Sequence, residues 1–274
     1  MNVAEKTTPM TPARPLAPVW KNPLTILITG ATGGIGAALA RRYARPGRTL
    51  LLHGRNAARL QALARECEGS GARVVPICFD LRDAAEAMRT LRSASREHAI
   101  DLAIVSAGVT HAIGDGEEVE RWAVAREVLA VNVDGAFITI AAVLPEMRRR
   151  AMGQIAIISS LSAYYGLPVT PTYSASKAAL KAYGEALRGW LAPQGIGVCV
   201  VLSGFVRTEM MERFPGATPG ALAPGEAALR IERGLAANSA RIAFPRVLAW
   251  GAWWLAVLPA ALSQRLVRAF GYGA

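Results

Sequence analysis

Tyr173 and Lys177 stand four residues apart in Tyr173-Ser-Ala-Ser-Lys177, and Ser160 lies 13 positions before the tyrosine. On a helix, residues four apart share a face. A phenol, with an unperturbed pKa near 10, is a poor acid–base group at neutral pH. An ammonium beside it favours the phenolate and lowers that pKa. A serine hydroxyl at the end of a strand can polarise the oxygen that gains or loses the proton. In isolation the tyrosine and lysine are an ordinary i,i+4 helix pair, so the reading needs a second feature.

That feature lies upstream. The apolar run Thr25–Ile28 leads into Thr29-Gly-Ala-Thr-Gly-Gly-Ile-Gly36. Gly30 falls where the chain must turn sharply. Gly33 and Gly34 leave room for backbone to approach a pyrophosphate, and Gly36 permits close packing of a helix on a strand. The helix that follows presents free N–H groups and its positive end to phosphates. The spacing Gly-x-x-Gly-Gly-x-Gly differs from the Gly-x-Gly-x-x-Gly fingerprint, and a structural turn is the alternative. An early phosphate cradle followed by a Ser…Tyr-x-x-x-Lys set describes hydride transfer on a dinucleotide.

The second strand-like run ends His53-Gly54-Arg55-Asn56. A site for NAD usually carries an acid here to hold the ribose hydroxyls. A carboxylate would repel a 2′-phosphate, whereas Arg55 can pair with it. NADP(H) is therefore expected in preference to NAD(H), with a surface arginine as the alternative. Asp80, after the third run, could accept from an adenine amino group or cap the next helix.

These groups need a scaffold. Strand-like runs fall at Thr25–Thr29, Thr49–His53, Val74–Phe79, Leu102–Ser106, Gln154–Ser159, Gly197–Leu202 and Arg241–Phe244. They are continuous rather than alternating, as in strands buried on both faces. Helical patterns lie between them at Ile35–Ala44, Ala57–Glu68, Asp83–His98, Glu118–Arg150, Thr172–Leu191 and Pro224–Asn238. Such alternation predicts an α/β fold: a Rossmann-type, doubly wound, seven-stranded, mainly parallel sheet with helices on both faces. Residues 24–245 form the single catalytic domain, 1–23 a flexible, proline-rich lead-in without an apolar leader, and 246–274 an apolar, Trp-rich extension.

The chain has 274 residues, 52% of them hydrophobic, and a net charge of +11. The charge favours anionic partners, but the arginines are scattered and no aromatic-and-basic stripe suggests nucleic acid. Arg148-Arg-Arg150 reads as a solvated helix end. Cys67, Cys78 and Cys199 are too scattered for a disulfide framework, which points to structural cysteines in a reducing, cytoplasmic compartment. His53, His98 and His111 lack metal-ligand spacing and read as surface or loop histidines, with His111 near a substrate entrance; no metal is expected. Glu117 and Glu118 decorate a helix start. Met210 and Met211 suit either a substrate lid or core packing.

Together these residues resemble the short-chain dehydrogenase/reductase family over about 24–245. Thr29–Gly36 is similar to its Thr-Gly-x-x-x-Gly-x-Gly loop, and Ser203-Gly-Phe-Val-Arg-Thr208 to its Pro-Gly-x-x-x-Thr segment. Asn132, in Val131-Asn-Val-Asp-Gly135, matches the Asn of its Asn-Ser-Tyr-Lys tetrad. The resemblance implies an enzyme interconverting a carbonyl and a secondary alcohol with NADP(H). Asn132, Ser160, Tyr173 and Lys177 would be its catalytic set, Asn132 holding a water in a proton relay from the lysine. Cofactor contacts would come from Gly30, Thr32, Gly33, Gly34, Ile35, Gly36, Arg55, Asp80, Leu81, Ala107, Gly108, Tyr173, Lys177, Gly204, Val206 and Thr208. Two positions depart: the family's Asn-Asn-Ala-Gly is Val105-Ser-Ala-Gly108 here, and Ser203 replaces a proline. Other readings are a lyase or epimerase retaining its cofactor, and a non-catalytic, membrane-associated scaffold that binds nucleotide.

The family pairs the two long helices in homodimers or homotetramers, and Ala178, Ala179, Ala182, Gly184 and Ala186 would let the second pack closely on a partner. Val247–Leu262 carries no charge across 16 residues and contains three tryptophans. It is short of the ~20 apolar residues of a span. With Arg241, Arg246, Arg265 and Arg268 beside it, the segment suits an anionic membrane surface, delivering a lipid-like substrate toward Met210, Met211 and Phe214. Packing on protein is the alternative.

Overall fold

The computed structural model describes residues 19–113 and 120–272. Seven strands form one sheet: β1 (Thr25–Thr29), β2 (Thr49–Gly54), β3 (Arg73–Cys78), β4 (Leu102–Val105), β5 (Gly153–Ser160), β6 (Ile196–Ser203) and β7 (Arg241–Phe244). Their order is β3-β2-β1-β4-β5-β6-β7, and every pairing is parallel. The helices are α1 (Gly34–Tyr43), α2 (Ala57–Gly69), α3 (Ala84–Glu97), α4 (Trp122–Leu129), α5 (Gly135–Arg150), α6 (Pro171–Leu191), α7 (Glu209–Glu212), α8 (Pro224–Ala236), α9 (Arg246–Val257) and α10 (Ala260–Ala269).

Side chains alternate across a strand, and each face carries its own apolar layer. Ile26, Ile28, Leu50 and Leu52 meet Leu39, Leu60 and Ile231 from α1, α2 and α8. Leu27, Leu51, Ala103 and Ile155 meet Leu91, Ile140 and Leu187 from α3, α5 and α6. Strand order reverses between β1 and β4, so their carboxyl ends diverge into the crevice where doubly wound sheets bind ligands.

The segment read as one helix over 118–150 starts, within the described residues, at Trp122. It changes at Ala130–Asp134 to a π-helical turn, with the Gly135 N–H bonded to the Ala130 carbonyl. Glu117 and Glu118 lie outside the described residues, as do residues 1–18 of the lead-in. The remainder of the lead-in is packed: Trp20 sits where a Cβ on Gly197 would come within 2.9 Å of its ring. The apolar C-terminal stretch is not one rod but two helices, α9 and α10, broken at Pro259.

Other residues depart from expectation. Arg150 is no solvated helix end: it pairs with Asp101 at 3.4 Å and bonds the Ile100 carbonyl. Gly184 faces its own sheet, where a Cβ would lie 2.6 Å from Val200 Cγ2, so it serves the α6–sheet contact and not a partner. Arg241 pairs with Glu185 on α6 at 2.6 Å and offers no free charge to a surface. Cys67 and Cys199 are buried, but Cys78 is exposed. His98 and His111 are half-buried.

His53 is the sharpest departure. It is not on the surface but only 2% exposed. Its Nδ1 accepts from the Gly30 N–H at 3.4 Å, and its Nε2 lies 3.2 Å from the Phe79 carbonyl oxygen. A neutral ring protonated at Nε2 satisfies both. Burial pushes its pKa down to about 4, against the Phe79 hydrogen bond and the Asp80 charge. The folded pKa lies below the unfolded one, so as pH falls from about 6.5 the unfolded chain takes a proton the folded chain refuses. Stability should fall across that window to about pH 4, by on the order of 3 kcal/mol in full. Chemical denaturation across this pH range should show a steeper loss for the wild type than for His53→Asn. Equal slopes would mean that the ring titrates freely in the fold.

Candidate active site

Gly30, Gly34 and Gly36 of the first turn are demanded by space, whereas Gly33 has room for a Cβ. Gly30 turns with φ +65°, and a Cβ there would lie 2.6 Å from the Ala107 Cα. A Cβ on Gly36 would lie 2.3 Å from the Gly30 carbonyl oxygen, and one on Gly34 2.1 Å from Thr208 Cγ2. The first turn, the loop after β4 and the segment after β6 thus converge at the carboxyl edge of the sheet. Gly33 starts α1 with no side-chain cap, leaving first-turn N–H groups for an anion. Thr32 packs over Gly54, and Ile35 is partly buried against the adjoining core. The loop that departs from the family pattern is pinned from below: Thr29 Oγ1 accepts from the Ser106 and Ala107 N–H groups at 3.2 and 3.4 Å. Ser203 holds its place in β6, its hydroxyl donating to the Ser159 carbonyl at 3.4 Å. Gly204 donates its N–H to the Phe244 carbonyl at 2.7 Å, and buried Val206 pairs with Leu222. Thr208 caps α7.

At the other end of the crevice, Arg55 is half-exposed, with Nη1 4.0 Å from Asp80. Asp80 is held chiefly by Arg82, a residue the sequence reading passed over. The Arg82 guanidinium reaches Asp80 Oδ2 at 2.6 Å, and its backbone N–H donates to Oδ1 at 2.9 Å. These hydrogen bonds keep the Asp80 carboxyl below its usual range. Asp80 therefore turns the corner into α3 while Asp83 provides the cap, and Arg55 retains an exposed guanidinium. Leu81 is buried against Gly135, where a Cβ would come within 3.2 Å.

The four catalytic candidates gather between β5, α6 and the π turn. Lys177 is 5% exposed. Its Nζ donates to the Ile158 carbonyl at 3.1 Å and lies 5.5 Å from the Tyr173 ring centroid. Ser159 fastens the helix to the strand by donating to the Lys177 carbonyl at 2.7 Å. Burial lowers the Lys177 pKa to about 8. Burial also raises that of Tyr173, opposed by a side-chain hydrogen bond from Ser160. The lowering expected from the ammonium is thus absent here: desolvation outweighs the one opposing contact, that of Ser160.

Asn132 is fully buried, and the hydrogen bonds of its side chain go to groups other than Lys177. It accepts from the Val109 N–H at 2.8 Å and donates to the Val109 carbonyl at 3.0 Å and to Ser176 Oγ at 2.9 Å. Ser176 in turn donates to the Tyr173 carbonyl at 2.7 Å. Asn132 and Lys177 approach each other only across Gly108, whose Cβ would lie 3.3 Å from Asn132 Oδ1 and 3.4 Å from Lys177 Nζ. Ser176 was missed although it sits inside the Tyr-x-x-x-Lys run; only its place in space shows the link.

Met210 is exposed and Met211 half-buried, which removes simple core packing for Met210. Phe214 rests on Phe205 and Tyr272, at centroid distances of 5.1 and 6.0 Å. A separate cavity of about 630 Å³ opens between residues 162–168, α6 and α10. Its α6 lining, Pro171, Ser174, Ala175 and Ala178, is the face away from Tyr173 and Lys177, so it is not where these groups react.

A tight glycine turn, first-turn N–H groups and an exposed arginine at the far end fit a dinucleotide. The family model for short chain dehydrogenases matches residues 24–217. An oxidoreductase of Myxococcus xanthus is 33% identical over 247 residues, covering 89% of this chain and 96% of that protein. A 3-oxoacyl-(acyl-carrier-protein) reductase of Thermotoga maritima is 31% identical over 191 residues, covering 69% of this chain and 76% of that one. A solved short-chain dehydrogenase from Sphingobium yanoikuyae in complex with NADPH aligns with a TM-score of 0.74 at 28% identity, over 89% of this chain and 92% of its own. With sheet, cradle and Ser-Tyr-Lys set in agreement, the chain belongs to the short-chain dehydrogenase/reductase family and is an oxidoreductase.

Proposed function

We propose that this enzyme interconverts a carbonyl and a secondary alcohol, using NADP(H) in preference to NAD(H), with Tyr173 as the proton-transferring group. The carrying observation is the placement of Tyr173, its ring centroid 5.5 Å from the Lys177 ammonium, while that ammonium reaches the loop after β4 at Gly108. When bound, the dinucleotide supplies or accepts the hydride. Gly30, Gly33, Gly34 and Gly36 would hold its phosphates, Arg55 a 2′-phosphate, and Lys177 the ribose nearest the reaction.

The chain's own part is proton handling. A carbonyl oxygen between the Ser160 and Tyr173 hydroxyls receives a hydrogen bond from Ser160 as negative charge builds. The Tyr173 hydroxyl then gives it a proton. A raised pKa keeps Tyr173 a phenol at neutral pH, the form that reduction needs. Lys177 remains charged below about pH 8, so its ammonium stabilises the phenolate left behind and carries the replacement proton. In oxidation the same groups act in reverse. An apolar, lipid-like substrate is favoured by the exposed thioether of Met210 and the ring of Phe214 at the segment after Thr208. We place the subunit contact of a homodimer or homotetramer on α6, where Ala175, Ala178, Ala182 and Ala186 form an exposed stripe of small residues.

Arg55→Ala should raise the KM for NADPH roughly 10- to 150-fold, the equivalent of about 1.5–3 kcal/mol for one charge-assisted contact. The KM for NADH should move far less, because no charge faces the arginine there. Steady-state kinetics with both cofactors decides this, and an unchanged NADPH/NADH ratio removes the assignment.

Tyr173→Phe should leave folding and NADPH binding intact and lower kcat about 10²–10⁴-fold, the usual worth of a general acid. Dinucleotide titration followed by NADPH consumption over a carbonyl panel separates the two readouts. Near-normal kcat in that variant excludes Tyr173 as the proton donor.

A further inference from the structure

The α9–α10 hairpin presents an apolar outer face that nothing among the described residues covers. Its inner face is ordinary: Leu248, Ala249 and Ala252 pack on Leu161, Val200 and Leu202, and Val267 and Ser263 are buried. On the outside, Val247 is 83% exposed, Trp250 63%, Trp253 40%, Trp254 53% and Phe270 67%. The three indoles touch edge to face, with centroids 5.9 and 5.1 Å apart. Soluble surfaces rarely gather such a patch without a partner for it.

The charges around the patch select the partner. No aspartate or glutamate follows Glu232 in the sequence. Arg246, Arg265 and Arg268 are exposed and form no ion pair among the described residues. Arg246 even opens α9 at its N-terminus, the end where a cation opposes the helix dipole. In a two-fold contact, the hairpin of a second copy would bring the same arginines and no acid of its own to meet them. An anionic lipid surface supplies what is missing: phosphates for the arginines and an interfacial zone that tryptophan side chains prefer. Spanning is ruled out by length, since 12 residues of α9 reach only about 18 Å of a core near 30 Å.

We infer that the α9–α10 hairpin seats this enzyme on anionic phospholipid bilayers, with Trp250, Trp253 and Trp254 in the interface and Arg246, Arg265 and Arg268 on the head groups. The inference does not depend on the proposed substrate or cofactor preference. The chain just after α10 also touches the segment after Thr208: Tyr272 donates to the Ala217 carbonyl at 2.7 Å, and its ring lies tilted beside Phe214. The seated face therefore adjoins the approach to the crevice.

Co-sedimentation of the full-length protein with vesicles tests this, using phosphatidylcholine alone and an equimolar mixture with phosphatidylglycerol. The protein should pellet with the anionic vesicles and shift its tryptophan emission to the blue. Each arginine near the surface is worth about five-fold in affinity. The triple variant Arg246→Glu/Arg265→Glu/Arg268→Glu should therefore bind on the order of 100-fold more weakly, or worse. The control Arg73→Glu/Arg92→Glu/Arg96→Glu makes the same change in net charge at exposed positions elsewhere and should retain most binding. Trp250→Ser/Trp254→Ser should lose binding while keeping its melting temperature. Three results would each overturn the inference. One is full-length protein left in the supernatant with anionic vesicles. Another is equal loss in both arginine variants. The third is a tryptophan variant that drops to a smaller oligomer in light scattering while still pelleting, which would assign the face to a second copy.

Discussion

The backbones at Gly30 and Ala107 lie so close that no side chain fits between them, and the active site depends on that approach. It occurs at the ends of β1 and β4, the pair across which the strand order reverses. Thr29, one residue before the turn, is fully buried and spends its hydroxyl on the Ser106 and Ala107 N–H groups. The loop after β4 is thereby fixed, and Asn132 grips its next residues through both the N–H and the carbonyl of Val109. Asn132 passes the constraint to Ser176, and Ser176 to the Tyr173 carbonyl. These part-buried and buried hydrogen bonds, joined through the loop backbone between Ala107 and Val109, tie the glycine turn to the helix that carries Tyr173. Buried polar groups are costly unless satisfied, which is why such a network has a single geometry.

A second constraint places charge where water is scarce. Gly184 lets α6 lie directly on Val200 and Ile157, and Lys177, on the same helix, is drawn into the layer between strand and helix. The Ile158 carbonyl is its one hydrogen-bond acceptor in the described structure, so desolvation dominates and its pKa falls to about 8. That value leaves the group charged at neutral pH yet able to exchange a proton. The phenol beside it is pushed the other way by the same burial. Desolvation thus drives the two acidities apart and reverses their ordinary order, leaving the lysine the stronger acid and able to return a proton to a phenolate beside it.

The order of elements could be read from the sequence because strands buried on both faces are continuous apolar runs and the glycine and Tyr-x-x-x-Lys spacings are local. All seven strands stand within a residue or two of where those runs lie. What could not be read depends on direction in space. The small residues of α6 are alike in sequence, yet Ala178, Ala182 and Ala186 face outward while Gly184 faces the sheet. His53 resembles any strand-end histidine until the Gly30 N–H is found at its ring. Arg82 is one arginine among many until its side chain folds back two residues onto Asp80. The π turn at Ala130–Asp134 has no composition of its own, although it sits, as such turns often do, at a functional residue.

The groups proposed for the chemistry and the segment proposed for selectivity occupy physically different parts of this molecule. Ser160, Tyr173, Lys177 and the glycine turn are held by the sheet and its two apolar layers. The segment after Thr208 has a helix of only four residues with no buried side chain, and much of its support comes from the C-terminal hairpin. Gly220 packs by Pro245 and Leu248, Gly216 by Tyr272, and Phe214 by the Tyr272 ring. Segments with few core contacts open at low free-energy cost, whereas the catalytic groups can shift only by disrupting the core. The hairpin also reaches the catalytic edge from its other side, since Leu248, Ala249 and Ala252 rest on the cluster containing Leu161, the residue after Ser160. The two C-terminal helices therefore adjoin both the segment after Thr208 and, through Leu161, Val200 and Leu202, the strand ends beside Ser160.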